Sequence, residues 1–420
     1  MIIMVQKKLL LTCLLSSPLI FGQTVNEGGL YIKPNTEVST LFSFENKESA
    51  QTFNNGTIYF YGDFINNGLY DFQSGAKTHS KAIFTSDKKQ TIEGKNIANF
   101  YHVVFDNSTK EVAFDLLSGM SSEGEVVFQN GIVKLYSDDK SFAFLKGSKA
   151  LNASDASHVE GWIDKIGNDE FTFPEGDKGL YRFAKISAPK NVKDVFASRY
   201  ILEDKDFFAT RSGKAGVVEN VNTNEYWELN RMDNSEGSII LTLSWDERTT
   251  PQELLENAEE NLHIVRWDER QEMWVDEGGI VDVGSRTITS PATVKGFGYF
   301  TLATVKTDWL LDGDVVVYNF VSPDGDGKND YFLVDNINRF PNNKVEIYNR
   351  WGTRVFETSN YDNNGNGTTN VFTGFTDGRV INKNKPLPTG TYFYIISYEY
   401  SDDNGSRMIK KSGYLHLESN

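Results

Sequence analysis

Residues 53–75 read FNNGTIYFYGDFINNGLYDFQSG, with Asn54-Asn55-Gly56 returning as Asn66-Asn67-Gly68 twelve residues on, each followed by a short aromatic run. Asn and Gly tolerate the positive φ of tight turns, and alternating Tyr and Phe suit a half-buried strand. The stretch predicts a β-solenoid or a meander in which each strand buries its face against the next. Similar short strands between turns continue in GEVVFQNGIVKLYSDDKSFAFLKGSKAL (124–151) and SHVEGWIDKIGNDEFTFPEGD (157–177). Residues 23–190 are therefore expected to form one β-rich, solenoid-like repeat region.

The rest of the chain fits an all-β protein. Its 420 residues suggest two to four domains. A 13% aromatic content with 35 Gly and 10 Pro describes a soluble, strand-rich chain. At the N-terminus, Lys7 and Lys8 precede an apolar run, Leu9 to Phe21, too short to span a bilayer, and small Gly22 follows. That layout predicts a secretory signal peptide over 1–22. The only cysteine, Cys13, lies inside the apolar run and not at its end, where a lipid-anchored cysteine would sit. The mature chain then has no thiol for a disulfide, a metal site or nucleophilic catalysis. Without the two lysines the formal charge moves from −16 to −18, which disfavours nucleic acid and anionic lipid and favours divalent cations or basic partners. No later stretch is long and apolar enough for a transmembrane helix.

From 191 to 306 the runs lengthen. SIILTLSW, LHIVRW, EMWVDEGG and GYFTLATV predict an antiparallel β-sandwich, with DERQ (268–271) as a hairpin turn. In TTPQELLENAEENL, Thr250 is expected as an N-cap, Pro251 as the first helical residue and Glu253 as the partner in a capping box, giving one short helix. The join to a last domain, 310–420, is placed near 306–312.

SPDGDGKNDYF (322–332) sets three aspartates and two glycines in eleven positions. Oxygen ligands at alternating positions suit a hard cation such as Ca²⁺. Ser322, Asp324, Asp326 and Gly327 resemble the first half of an EF-hand loop, but Leu333 stands where the bidentate Glu is needed. Two readings follow: a calcium loop using Asp324, Asp326, Asp330 and the Asn329 carbonyl, or a metal-free turn whose Asp side chains cap backbone N–H groups. Trp351-Gly352 is read as a hairpin in which the ring covers the core and Gly takes the turn.

VVVYNFVSPDGDGKNDYF, NNKVEIYNRWGTRVF, LPTGTYFYIISYEY and KKSGYLHL follow one another through the last quarter of the chain. In order and spacing they resemble the gliding-motility-associated C-terminal domain of Bacteroidetes proteins, the type B signal for type IX secretion. Asp326, Gly327, Asn329 and Asp330 fall on the family's GDGxND, Asn349 to Gly352 on its NRWG, and Pro388 to Tyr392 on its PxGTY. Asp324 stands where the family usually has Asn. Physically the motifs read as a small Ig-like sandwich, and the resemblance implies handling by the type IX translocon, a PorP/SprF-type outer-membrane β-barrel as partner, and delivery to the cell surface or medium. SHVEGWIDKIGNDEFTFPEGDKGLYRF and EYWELNRMDNSEGSIILTLSW further resemble stretches of large Bacteroidetes surface proteins with the same tail.

Enzymatic signatures are absent: no H-E-x-x-H, G-x-S-x-G or Walker A occurs. The five histidines, His79, His102, His158, His263 and His416, lie at least 23 residues apart. The expectation is a non-enzymatic exported protein with a structural or adhesive stalk. Two other readings stand beside it: an accessory subunit of the translocon or gliding machinery, and a secreted glycan-binding protein. The last rests on Trp227, Trp245, Trp267 and Trp274, of which Trp245 and Trp267 end apolar runs and are expected to be buried.

Overall fold

The computed structural model describes residues 22–109, 112–215, 217–232, 235–306, 315–377, 386–402 and 405–419. The expected signal peptide up to Phe21, with Cys13, and the expected join from residue 307 lie outside them.

The chain is all-β, and its N-terminal part is a solenoid of about six turns. Three parallel strand stacks form its faces. One contains Gln23–Asn26, Ser43–Asn46 and Phe64–Asn66, a second Gly29–Ile32 and Gln51–Asn54, and a third Glu37–Thr40 and Thr57–Phe60. Coil-to-coil register replaces the twelve-residue repeat expected from the opening stretch. Asn26, Asn46 and Asn66 stack every 20 residues, and Phe60, Phe84, Phe105 and Phe128 stack every 21 to 24. Asn54 and Asn66 close strands of different faces, so twelve residues is a corner-to-corner distance.

The glycines of those triplets serve a different purpose from the one expected. Neither Gly56 nor Gly68 has a positive φ. A Cβ on Gly68 would sit 2.3 Å from the Ala50 and Lys47 carbonyl oxygens of the coil below, and one on Gly56 2.4 Å from the Thr36 oxygen. Glycine is required by close backbone approach. Asn46 and Asn66 stay buried because each amide serves the next: Asn26 Nδ2 donates to Asn46 Oδ1 at 3.0 Å, and Asn46 Nδ2 to Asn66 Oδ1 at 2.9 Å.

Inside the coils, in-register rings stack. Phe60 and Phe84 lie 5.0 Å apart, and Phe84–Phe105 and Phe105–Phe128 each 5.7 Å, all with nearly parallel planes. Each ring is almost fully withdrawn from solvent, which stabilises the stack by roughly 1.5–3 kcal/mol per side chain.

At Ile163–Ile166 the stacking direction changes. That strand pairs in parallel with Phe142–Phe144 below it and antiparallel with Val195–Leu202 above. The same ten-stranded sheet runs on through Glu225–Arg231, Gly298–Val305, Leu262–Asp268 and Met273–Gly278. A five-stranded sheet containing Leu241–Ser244 and Thr287–Thr289 forms the opposing layer. One apolar cluster extends from Ile32 to Leu302, and a second gathers Phe207, Phe208, Trp267 and Trp274. Strand polarity therefore changes from Ile163 onward, with Phe171–Thr172 already antiparallel to Ala184–Ile186, ahead of residue 190 and within a shared core. The turn after Asp268 is the expected hairpin.

The expected helix is two separate turns, Gln252–Leu255 and Ala258–Asn261, divided by Asn257 in the left-handed conformation. Pro251 occupies the N-cap position, with no side-chain cap. Thr250 is drawn elsewhere: its hydroxyl donates to Glu225 Oε1 at 2.7 Å in a buried cluster. Arg182 bonds both Glu225 oxygens at 2.9 Å, and Tyr200 and Asn222 complete the carboxylate's coordination. An ion pair this dry persists because further hydrogen bonds saturate the carboxylate. All four tryptophans named above are buried, Trp227 and Trp274 almost completely.

The last part is a β-sheet domain with its own core. Its five-stranded sheet runs in the order Phe320–Val321, Gly405–Leu417, Gly390–Asp402, Asn343–Tyr348, Arg354–Ser359. The short ribbon of Val316–Val317 with Val334–Asp335 and the segment around Tyr361 and Phe372 cover one face. Alternation in GTYFYIISYEY places Tyr392, Ile396 and Tyr398 inward, as expected for a central strand.

Candidate functional site

The three motifs of the last domain fall at distinct places on it. In SPDGDGKND the chain reverses through Gly325 (φ +81°), Gly327 (+90°) and Asn329 (+50°). Asp330 ties the loop together: its two oxygens accept from the Gly325 and Gly327 amides at 2.8 and 2.9 Å. Asp324 accepts from Asp326 N at 3.0 Å and Asp326 from Lys328 N at 2.8 Å. The Asn329 carbonyl closes the neck by accepting from Ser322 N at 2.8 Å.

These caps also bring oxygens of Asp324, Asp326 and Asp330 within 4.8 Å of one another, the only such His/Cys/Asp/Glu group of three among the described residues. That spacing accommodates metal–oxygen bonds of ~2.3–2.6 Å. Three carboxylates are half or fewer of the six to eight oxygens Ca²⁺ takes, so such an ion would rely on water or main-chain oxygens for the rest. What the hydrogen bonds do without an ion is hold a tight, acidic, partly exposed loop.

This loop lies against the hairpin turn of the preceding sandwich. Lys328 Nζ pairs with Glu272 at 2.7 Å, Gln271 Nε2 donates to the Tyr331 hydroxyl at 3.3 Å, and Arg270 Nη1 donates to the Asn366 carbonyl at 3.0 Å.

Asn349-Arg350-Trp351-Gly352 caps the far end of the hairpin between Asn343–Tyr348 and Arg354–Ser359. Asn349 Oδ1 accepts from Trp351 N at 3.0 Å and Thr353 N at 2.9 Å, and Gly352 takes the left-handed position at φ +77°. The expected role of the tryptophan is overturned. Trp351 is 76% exposed, with the Arg350 guanidinium 4.9 Å from its ring centre. The inward alternation of the strand ends at Ile347, so the ring projects beyond the sheet.

The third motif, PTGTY (388–392), ends in Tyr392, which is buried and donates its hydroxyl to the Pro388 carbonyl at 2.8 Å. Thr389 exchanges two hydrogen bonds with the Ser419 backbone, fastening the end of the chain.

Sequence reasoning missed Tyr361. It is fully buried; its hydroxyl donates to the Phe332 carbonyl at 2.5 Å and accepts from Phe372 N at 3.1 Å, linking the loop-bearing segment to the covering layer. The available signal was the turn-rich YDNNGNG (361–367), in which Asp362 accepts from the Asn366 and Gly367 amides.

Charge sets the domain apart. Residues 315–417 hold eleven Lys and Arg against eleven Asp and Glu, so the whole −16 of the chain lies elsewhere. A neutral, separately cored unit with three motif-bearing turns sits at the end of an acidic body. Residues 315–417 match the CHU_C type IX secretion signal domain. The signal domain covers a quarter of the chain, and it marks a protein handled by the type IX secretion system for export to the cell surface or medium. No curated protein and no solved structure matches the chain. Among the described residues no helix is long and apolar enough to cross a membrane.

Proposed function

We propose that this protein is a non-catalytic surface passenger: the signal domain directs export and docking, and the solenoid with its fused sandwich forms a structural or adhesive stalk. One observation carries the reading. The aromatic stack of the solenoid passes without a break into the sandwich core, while the signal domain keeps a separate core. A stalk with one continuous core and a separately cored terminal address is suited to presenting a surface away from the cell.

The outer-membrane partner in this reading is a PorP/SprF-type barrel. The glycan-binding alternative depended on exposed tryptophans, and burial of Trp227, Trp245, Trp267 and Trp274 removes that stacking platform. The accessory-subunit alternative differs in stoichiometry. Affinity purification of the tagged full chain from solubilised envelopes tests the two: a passenger is recovered in variable, substoichiometric amounts with the barrel, whereas a fixed ratio to translocon components would replace the stalk reading.

A further inference from the structure

The strand Gly405–Leu417 pairs along its whole length with Gly390–Asp402 on one side. On the other side, among the described residues, its end alone is paired, by Phe320–Val321. His416 N donates to the Asn319 carbonyl and Glu418 N to the Val321 carbonyl, so even-numbered amides face outward. Continuing that alternation, the amides of Met408, Lys410, Ser412 and Tyr414 point away from the sheet. Among the described residues they have no backbone partner. All four of these residues are exposed, Met408 and Tyr414 by 63% and 60%. Beside them the outer face of the sheet holds a shallow groove of about 580 Å³, lined by Tyr348, Arg350, Phe393 and Tyr414.

We propose that this edge, unpaired among the described residues, is where the export machinery engages the signal domain, adding an extended segment of its own alongside residues 406–414. The inference rests on the signal-domain reading and names the surface through which that signal is read. Main-chain hydrogen bonds would supply affinity, and alternate side chains of the incoming strand would enter the aromatic groove. Lys410 and Arg350 call for acidic residues among apolar ones in that strand.

A second copy of this chain is the poorer occupant. Two such edges related by a twofold axis at residue 410 would set Lys410 against its own copy, and like charges directly opposite are unfavourable. Lysines on an open edge discourage self-pairing for the same reason.

The test uses the full chain in its own exporting cells, with surface exposure read by protease shaving. Ser412→Pro removes one outward amide and blocks strand addition while leaving the inner ladder its donors. Met408→Glu combined with Lys410→Glu changes only exposed side chains and covers the case in which the proline variant fails to fold. Both variants should melt as wild type does and lose surface exposure by about tenfold or more, the scale of one or two lost hydrogen bonds. Deletion of 315–417 is the reference arm. If deletion abolishes exposure while a folded edge variant is displayed normally, the edge inference is overturned and the signal reading stands. If the deletion is itself displayed, both fall. If Ser412→Pro converts a dimer to a monomer with export unchanged, the edge is a self-association site and the inference is equally overturned.

Discussion

The solenoid and the signal domain solve the same problem, burying aromatic side chains with β-strands, in opposite ways. In the solenoid Phe60, Phe84, Phe105 and Phe128 each meet a counterpart one coil away, 21 to 24 residues off, so stability accumulates from near-identical neighbours. In the signal domain the core is closed by unique contacts: the paired 13-residue strands, and Tyr361 bridging the Phe332 carbonyl to the Phe372 amide. A repetitive stack tolerates drift in any one coil. A sheet held by unique contacts fixes the geometry of its turns, which is what a recognised surface needs.

The largest effect should come from removing one region from the other. A chain ending at residue 306 should accumulate in the periplasm, with little reaching the surface or medium, as fractionation would measure; efficient display would separate the match from its role.

Next in size is damage to the stack. Phe84→Ala opens a cavity among Phe60, Phe64, Phe100 and Phe105 and should cost the body about 3–5 kcal/mol. Denaturant unfolding followed region by region should show the signal domain unaffected, because the two cores are separate; a joint shift would show that they unfold together. Tyr361→Phe makes the converse cut. It leaves the Phe332 carbonyl and Phe372 amide unpaired and should destabilise the signal domain by about 1–3 kcal/mol, with the body unchanged.

Two buried carboxylates make the stability of the body depend on pH in opposite directions. Burial pushes the Glu175 carboxyl well above its ordinary value, with hydrogen bonds from Ser198 and the Ala184 amide only partly opposing it. A raised folded value means that its contribution is complete below the unfolded value, about 4.5, and is lost as pH rises from there through the folded value. Glu175→Gln should therefore raise the melting temperature near neutrality relative to wild type and bring less gain below about pH 4. Glu160 works in the other direction. Burial raises it, but the His158 ring 3.9 Å away and hydrogen bonds from Lys134 and the Gly179 amide outweigh that and hold it at about 2. Its contribution is present above about pH 4.5 and is lost as pH falls toward 2. Melting curves across about pH 2 to 8 would separate the two; an unaltered profile in the Glu175→Gln variant would contradict the assignment.

Much of this architecture was legible from residues whose chemistry is local. Turn residues between aromatic runs announced short strands, DERQ announced a hairpin, and the ordered motifs announced the last domain. What was hidden depends on contacts across the fold. The 20-residue period was masked because two corners of one coil, at Asn54 and Asn66, carry the same triplet. Thr250 looked like a helix cap until a buried Glu225 claimed its hydroxyl. Trp351 looked like core because large apolar rings usually are, and nothing in the sequence shows that its strand ends at Tyr348.

The smallest expected effect follows from that correction. Trp351→Ala should change signal-domain stability by about 0.5 kcal/mol or less, since the ring is mostly in solvent. A larger loss in thermal unfolding would restore the core role.

One fusion shows whether residues 315–417 suffice for export. A periplasmic reporter extended by residues 315–417 and expressed in a cell with a working type IX system should appear outside, accessible to protease on intact cells, while the bare reporter stays in the periplasm. A fused reporter that remains periplasmic, folded and intact, would contradict the central claim that this domain is sufficient as the export signal.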